Sequence, residues 1–406
     1  MSAKSDLRIA IIGAGLGGCA VGSLLQKAGY RPTVYEQTSA VTPLGAGIHL
    51  SPNVTRVLDR IGVCEKLATT GMRPRSFVSR DWDTGAVTLD FALRDAAEAR
   101  YGAPYLTVHR GDLQMELFGA LMPGSVQFGK PLSDIDATGA CLKLAFADGT
   151  TAEADVVIGA DGVHSRVREI LLGPEAPAYT GHVAHRSIMS MERFDGHVFE
   201  DTTKWWHPDL HIVVYYVTGD RSHIYFVTGV PEPEWRHEAW AIPGDPDEVR
   251  AAFEGFHDDV QILLGGCTEV MNWAILERKP FELWSEGRIV MLGDACHPMR
   301  PHMGQGAAMA IEDAAMLVRC IKHHPTDLDY AFRLYAANRQ TRTGKVQHYS
   351  HHNDWLQYTE SSDPDWVFDY DVFTELLVSP KGLGTGTAQA RCETPARALS
   401  FRDVPQ

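Results

Sequence analysis

One stretch in the middle of the chain and one near its start carry residue types suited to moving a proton beside a ring. In His211-Ile212-Val213-Val214-Tyr215-Tyr216-Val217, strand alternation puts His211, Val213 and Tyr215 on one face. Four strand residues separate the imidazole from the phenol by roughly 13 Å at the backbone, so the two could bracket a small aromatic acid. His49 follows Gly45 and Gly47, and such glycines suit backbone passing close to a flat ligand, which leaves the imidazole beside it. An imidazole, with an ordinary pKa of ~6.5, accepts a proton near neutral pH; a phenol at ~10 needs a lowered pKa or a histidine relay. The same residue types also serve as satisfied core groups, so spacing alone leaves both roles open.

The element that would position such chemistry opens the chain. Ile9-Ala10-Ile11-Ile12 is a short apolar run, as expected of a parallel strand buried on both faces, and it empties into Gly13-Ala14-Gly15-Leu16-Gly17-Gly18. Gly13 permits the tight turn, Gly15 lets backbone N–H groups approach a pyrophosphate, and Gly18 allows close helix packing. A helix N-terminus then favours the phosphate charge. A second strand, Arg31 to Glu36, ends in an acid at the offset where a carboxylate grips a ribose hydroxyl. The fingerprint does not separate FAD from NAD.

Further along, Ser51 reads as a helix N-cap before Pro52, and residues 76–100 as a hairpin outside the nucleotide fold. A helix beginning near Leu106 carries Arg110 at its entry, placed to meet a phosphate or a ring edge. A buried strand ends in Gly159-Ala160-Asp161-Gly162 and another in Gly293-Asp294. Acids and glycines at such strand ends lie where doubly wound sheets bind ligands. Backbone N–H groups around Gly304 and Gly306 open a small-residue helix and could stabilise negative charge. The fold expected is α/β: a Rossmann-like nucleotide-binding domain (1–75, 102–178 and 280–335) interleaved with a mainly antiparallel β-sheet substrate domain (76–101 and 179–279). A helical C-terminal region (336–406) follows, loose from about Ser379.

A net charge of -15 without a basic face argues against nucleic acid as a partner. No run of ~20 apolar residues suggests a membrane span. Seven cysteines without a C-x-x-C pair suggest reduced thiols in a cytoplasm and no metal site. Nothing chooses between a monomer and a homodimer.

Three motifs in this order, Gly-x-Gly-x-x-Gly at 13–18, Asp161-Gly162 and Gly293-Asp294, resemble those of single-component FAD-dependent aromatic hydroxylases of the para-hydroxybenzoate hydroxylase type. The resemblance covers the chain to about residue 350 and implies FAD as bound cofactor, with NADH as a transient co-substrate and O₂ as oxidant. It implies that Glu36 and Asp294 hold ribose or ribityl hydroxyls, that Arg110 lies near the pyrophosphate, and that Asp161 supports both FAD binding and NAD(P)H use. Gly304 and Gly306 would flank the flavin pyrimidine, with Leu16, Gln37 and Ala307 as further cofactor contacts. More narrowly, Leu44 to His49, Lys204-Trp205-Trp206, Val214-Tyr215-Tyr216, Phe226 to Val230 and His297 to His302 resemble a branch acting on 6-hydroxynicotinate. That branch implies His49 and Tyr215 as candidate proton acceptors, and His211, His302, Val227, Thr228 and Gly229 as substrate lining. It has a pocket cysteine where this chain has Thr202.

The expected reaction is hydroxylation of a hydroxylated aromatic carboxylate, with loss of CO₂ where oxygen enters at the carboxylate-bearing carbon. For 6-hydroxynicotinate the product is 2,5-dihydroxypyridine. A base must take the ring hydroxyl's proton to make the ring electron-rich, and His49 suits that better than Tyr215. Related hydroxypyridine or hydroxybenzoate acids are alternative substrates. A halogenase or dehydrogenase on the same scaffold is a second reading, and a non-catalytic FAD-binding or redox-sensing protein a third; Trp205-Trp206 are adjacent rather than set in the halogenase Trp-x-Trp-x-Ile-Pro pattern.

Overall fold

The computed structural model describes residues 7–41, 45–237 and 239–380; the tail expected from Ser379 lies, from residue 381 on, outside them. Ile9–Ile12 sits inside a six-stranded sheet in the order Ser285–Glu286, Ile289–Met291, Val156–Gly159, Ile9–Ile12, Thr33–Tyr35, Val126–Gln127. All neighbours pair parallel except the first two strands. The four residues of Ile9–Ile12 are all buried, which is why the run is apolar without alternation. Behind the turn, a Cβ on Gly18 would stand 1.9 Å from the Gly13 carbonyl oxygen, so the helix Leu16–Lys27 starts this close to its strand only with glycine there. Gly13 itself has φ +100°, in the region that favours glycine.

The second large sheet has eight strands, in the order Ala241–Gly244, Val270–Glu277, Ala178–Ser190, His223–Pro231, His211–Tyr216, Thr202–Trp206, Ser76–Asp81, Val87–Ala92. It is antiparallel apart from the pairing of Thr202–Trp206 with Ser76–Asp81. The 76–100 hairpin thus forms this sheet's edge, and is followed by the helix Arg94–Tyr101. One sheet face, with Ile212, Val214, Tyr216, Ile224 and Phe226, packs on the helices Pro246–Ala252 and Asp258–Gly265. The other face, with Val213, Tyr215, Tyr225 and Val227, turns toward the nucleotide-type sheet.

Two local expectations are corrected. Leu106–His109 is a strand paired with Gly47–Leu50, and the helix starts only at Arg110. Ser51 makes no side-chain cap: its hydroxyl donates to Asn53 Oδ1 at 2.6 Å and accepts from Gln305 Nε2 at 2.9 Å, because a buried polar network claims it first. The long helix Leu328–His352 packs against Gly306–His323 and ends in Asn353, which adopts the left-handed conformation at φ 53°.

Candidate active site

Between the two large sheets lies a cavity of about 590 Å³. Its walls include Gly15, Leu16, Gln37, Arg110, Asp161 and Asp294 on one side. His49, Tyr215, Val227, His302, Gly304, Gly306 and Ala307 line it further along. Residues far apart in the chain are thereby gathered on one cavity wall, while Gly13, Gly18, Glu36, Thr202, His211, Thr228 and Gly229 do not line it. A more open groove of about 570 Å³ adjoins it at His164 and Trp240 and holds Arg168 and Arg278.

The nucleotide end fits a flavin dinucleotide. A Cβ at Gly15 would meet no protein atom within 4 Å and would stand in the cavity wall, so the bare backbone there leaves room for a pyrophosphate. Arg110 opens the helix Arg110–Gly119, whose Gln114 donates to the Ala14 carbonyl at 2.6 Å, which sets the guanidinium by the glycine turn. No carboxylate lies within 4 Å of it among the described residues, and burial pulls its pKa below the ordinary value, as Arg186 nearby also does. A pyrophosphate supplies the missing counter-charge. Among the described residues the Asp294 carboxylate has no hydrogen-bond partner, its accessible surface opens into the cavity, and this enclosure raises its pKa. The Glu36 carboxylate takes the Ala14 N–H at 2.7 Å on one oxygen and Thr38 on the other, keeping acceptor capacity on the first. Asp161 is spent locally: it accepts from Ser165 Oγ, Arg166 N and Val167 N, holding the start of Arg166–Leu172.

The substrate end is built on the inward sheet face. His49 packs its ring against Tyr215 with centroids 4.1 Å apart, and its Nδ1 meets the Tyr105 hydroxyl at 2.9 Å. Tyr105 was invisible to sequence reasoning, since nothing but the fold brings it to His49. Burial pushes His49 down to about 3 and Tyr215 well above the ordinary phenol value, so at neutral pH the imidazole is uncharged and the phenol keeps its proton. The Tyr105 hydroxyl can donate or accept here; in the tautomer whose Nδ1 donates to it, the other ring nitrogen keeps a lone pair for an incoming hydroxyl. Gly47 serves this packing rather than a flat ligand directly: its Cβ would fall 2.6 Å from Tyr225 and 2.7 Å from Tyr215.

Thr202 pairs directly with Tyr215, is fully buried, and its hydroxyl has no partner among the described residues. His211 stacks edge-on to His302 at 5.0 Å, and Gly229 leaves room for it, a Cβ there falling 2.1 Å from the imidazole. Thr228 is not brought in: strand alternation turns its side chain to the far face, where its hydroxyl bonds His185 at 2.9 Å. Lys204, Arg186 and Asn353 carry side chains whose importance here only the fold reveals.

A dinucleotide cradle opening onto an aromatic, histidine-lined chamber defines a flavin-dependent monooxygenase. The chain belongs to the FAD binding domain family, whose model matches residues 6–328. It is 51% identical over 373 residues to 6-hydroxynicotinate 3-monooxygenase of Bordetella bronchiseptica, covering 91% of this chain and 97% of that one. It is 49% identical to the enzyme of the same name from Pseudomonas fluorescens, covering 92% and 97%. Among solved structures it is similar to Klebsiella pneumoniae HpxO complexed with FAD and uric acid, at TM-score 0.77 and 26% identity over 88% of this chain and 90% of that one. FAD is the cofactor, with NAD(P)H and O₂ as co-substrates. No helix of the described residues is long and apolar enough to cross a membrane.

Proposed function

We propose that this enzyme hydroxylates 6-hydroxynicotinate, or a close hydroxypyridine or hydroxybenzoate acid, at the carbon that bears the carboxylate. The observation that carries the reading is the buried His49 imidazole packed at 4.1 Å on Tyr215, in the same cavity as the glycine loops. Reduced flavin and O₂ supply an electrophilic oxygen when the cofactor is bound. The chain's own work is to hold the ring with its hydroxyl toward His49, take the hydroxyl proton, and keep water out. Once a C–O bond forms at the carboxylate-bearing carbon, the C–C bond to the carboxylate breaks, its electron pair restores aromaticity, and CO₂ leaves. The product from 6-hydroxynicotinate is 2,5-dihydroxypyridine.

Removing the hydroxyl proton places negative charge on the ring, and the imidazolium so formed lies beside it as a counter-charge, which offsets the low proton affinity that burial gives His49. Cys19, Cys64, Cys141, Cys267, Cys296 and Cys320 are free, in keeping with a reducing cytoplasm. The test is a panel of hydroxylated pyridine and benzene carboxylates given with NADH or NADPH, scored for cofactor oxidation, O₂ uptake and CO₂ release. We expect 6-hydroxynicotinate to stimulate all three; no stimulation by any acid would sink the assignment.

A further inference from the structure

Lys204 has 2% of its surface exposed, yet it borders the cavity and has no carboxylate within 4 Å among the described residues. Its ammonium donates to Asn353 Oδ1 at 2.7 Å and sits 3.6 Å from the centre of the Trp206 ring. A buried cation without a counter-ion is costly, and a ligand anion removes that cost. Asp354, an exposed acid, acts on it only from beyond 4 Å.

The surrounding hydrogen bonds fix which groups stand ready. Lysine can only donate, so the Asn353 oxygen must face it and the amide NH₂ must face His211 Nδ1, 3.2 Å away. His211 therefore carries its proton on Nε2. His302 Nδ1 donates to the Ser350 carbonyl at 2.7 Å, leaving its buried Nε2 as an acceptor without a partner. Burial also holds the Lys204 pKa well below the ordinary lysine value, so this end of the cavity presents, beside neutral imidazoles, an amine that a ligand carboxylate would hold in its charged form. Lys204 stands two strand residues from Thr202, the partner of Tyr215. The two residues are one i, i+2 step apart, roughly 7 Å along the backbone, so Lys204 shares the sheet face of Thr202 and Tyr215. Of the other cations on the cavity wall, Arg110 is by the glycine turn, Arg186 stacks on Trp273 at 4.1 Å, and Arg300 is paired with Glu277.

We infer that Lys204, aimed by Asn353, is the specificity-determining cation that binds the substrate's carboxylate. This rests on the functional reading above. Asn353 is a positioning residue: its left-handed backbone closes the helix Leu328–His352 while its amide ties Lys204 to His211.

The experiment titrates the FAD holoenzyme with 6-hydroxynicotinate and with its primary amide, neutral and of nearly the same shape, reading Kd from flavin absorbance. Wild type should favour the acid by about 30-fold, and Lys204→Met should abolish most of that preference while binding the amide within about 3-fold of wild type. Asn353→Gly keeps the left-handed conformation and should cut the preference by about 5-fold, which gives a second variant if Lys204→Met loses FAD. Equal weakening of acid and amide, no change for either, or a selective loss in Arg186→Met instead would overturn the assignment. A wild-type enzyme that binds no aromatic acid overturns the functional reading and this one together; one that binds the acid no better than Lys204→Met does overturns this one alone.

Discussion

Two buried polar regions lie near the flavin site, and they are built on opposite terms. Below the Gly293 turn, Asp313 accepts from Gly293 N at 3.0 Å, His297 Nε2 at 2.5 Å and Arg339 Nε at 2.6 Å. Beside it Glu312 meets Arg339 at 2.7 Å, Arg342 at 2.8 Å and Asn53 at 2.7 Å. Every charge there has an opposite charge in contact. The cavity wall holds Lys204 and Arg186 on the sheet face and Arg110 by the glycine turn, none with a carboxylate within 4 Å among the described residues, and the Thr202 hydroxyl and His302 Nε2 beside it have no partner among those residues. The first region spends its polar groups on itself and fixes the Gly293-Asp294 strand end against the helix Gly306–His323. The second leaves them for ligands. A buried polar group is thus read as structural or functional by whether its partners are already in the protein.

The comparison breaks most sharply at Asp313. Asp313→Ala leaves Arg339 buried with half its counter-charge and should cost about 3–5 kcal/mol, measured by urea unfolding of the holoenzyme; a loss under about 1 kcal/mol would show that the network does not hold the fold. In the chamber, His49→Gln should leave FAD bound and lower kcat about 100-fold, some 2.7 kcal/mol of barrier. Unchanged turnover would remove His49 as the base.

Acid sharpens the contrast. His49 and His302 are pushed down to about 3 and His185 to about 4 by burial, from an ordinary 6.5. Between those values the unfolded chain binds the extra proton, so each histidine's contribution is present above pH ~6.5 and lost as pH falls, by up to ~1.4 kcal/mol per unit. Asp313 is held down to about 2 by His297 and Arg339 against the penalty of its own burial, so its contribution is lost only below about pH 4. Urea midpoints of the FAD-free protein should therefore fall from pH 6.5 downward, less steeply in His302→Gln; a flat profile to pH 4 would contradict the chamber's description. The smallest effect expected is Tyr105→Phe, which removes one hydrogen bond to His49 and should lower kcat by about 5-fold, ~1 kcal/mol, and shift the acid limb of the kcat profile. An unaltered limb would mean Tyr105 does not orient the ring.

The glycine turn, the strand-end acids and the alternation of His211 with Tyr215 were legible in the sequence because each is a local pattern. Glycine is needed where a Cβ would strike backbone 1.9 Å away, and period two is fixed by the strand itself. Thr228 shows the limit of motif reading: its neighbours Val227 and Gly229 face inward, so alternation sends its own side chain outward. Tyr105 and Asn353 had no local signal at all. They reach His49 and Lys204 across 56 and 149 residues of chain, and such contacts depend on how sheets and helices pack rather than on spacing. The sequence by itself determined the cofactor cradle and the residue types of the chamber. Only the tertiary structure decided which partners the histidines find and which cations stand unpaired, because partners and burial are properties of the packed whole.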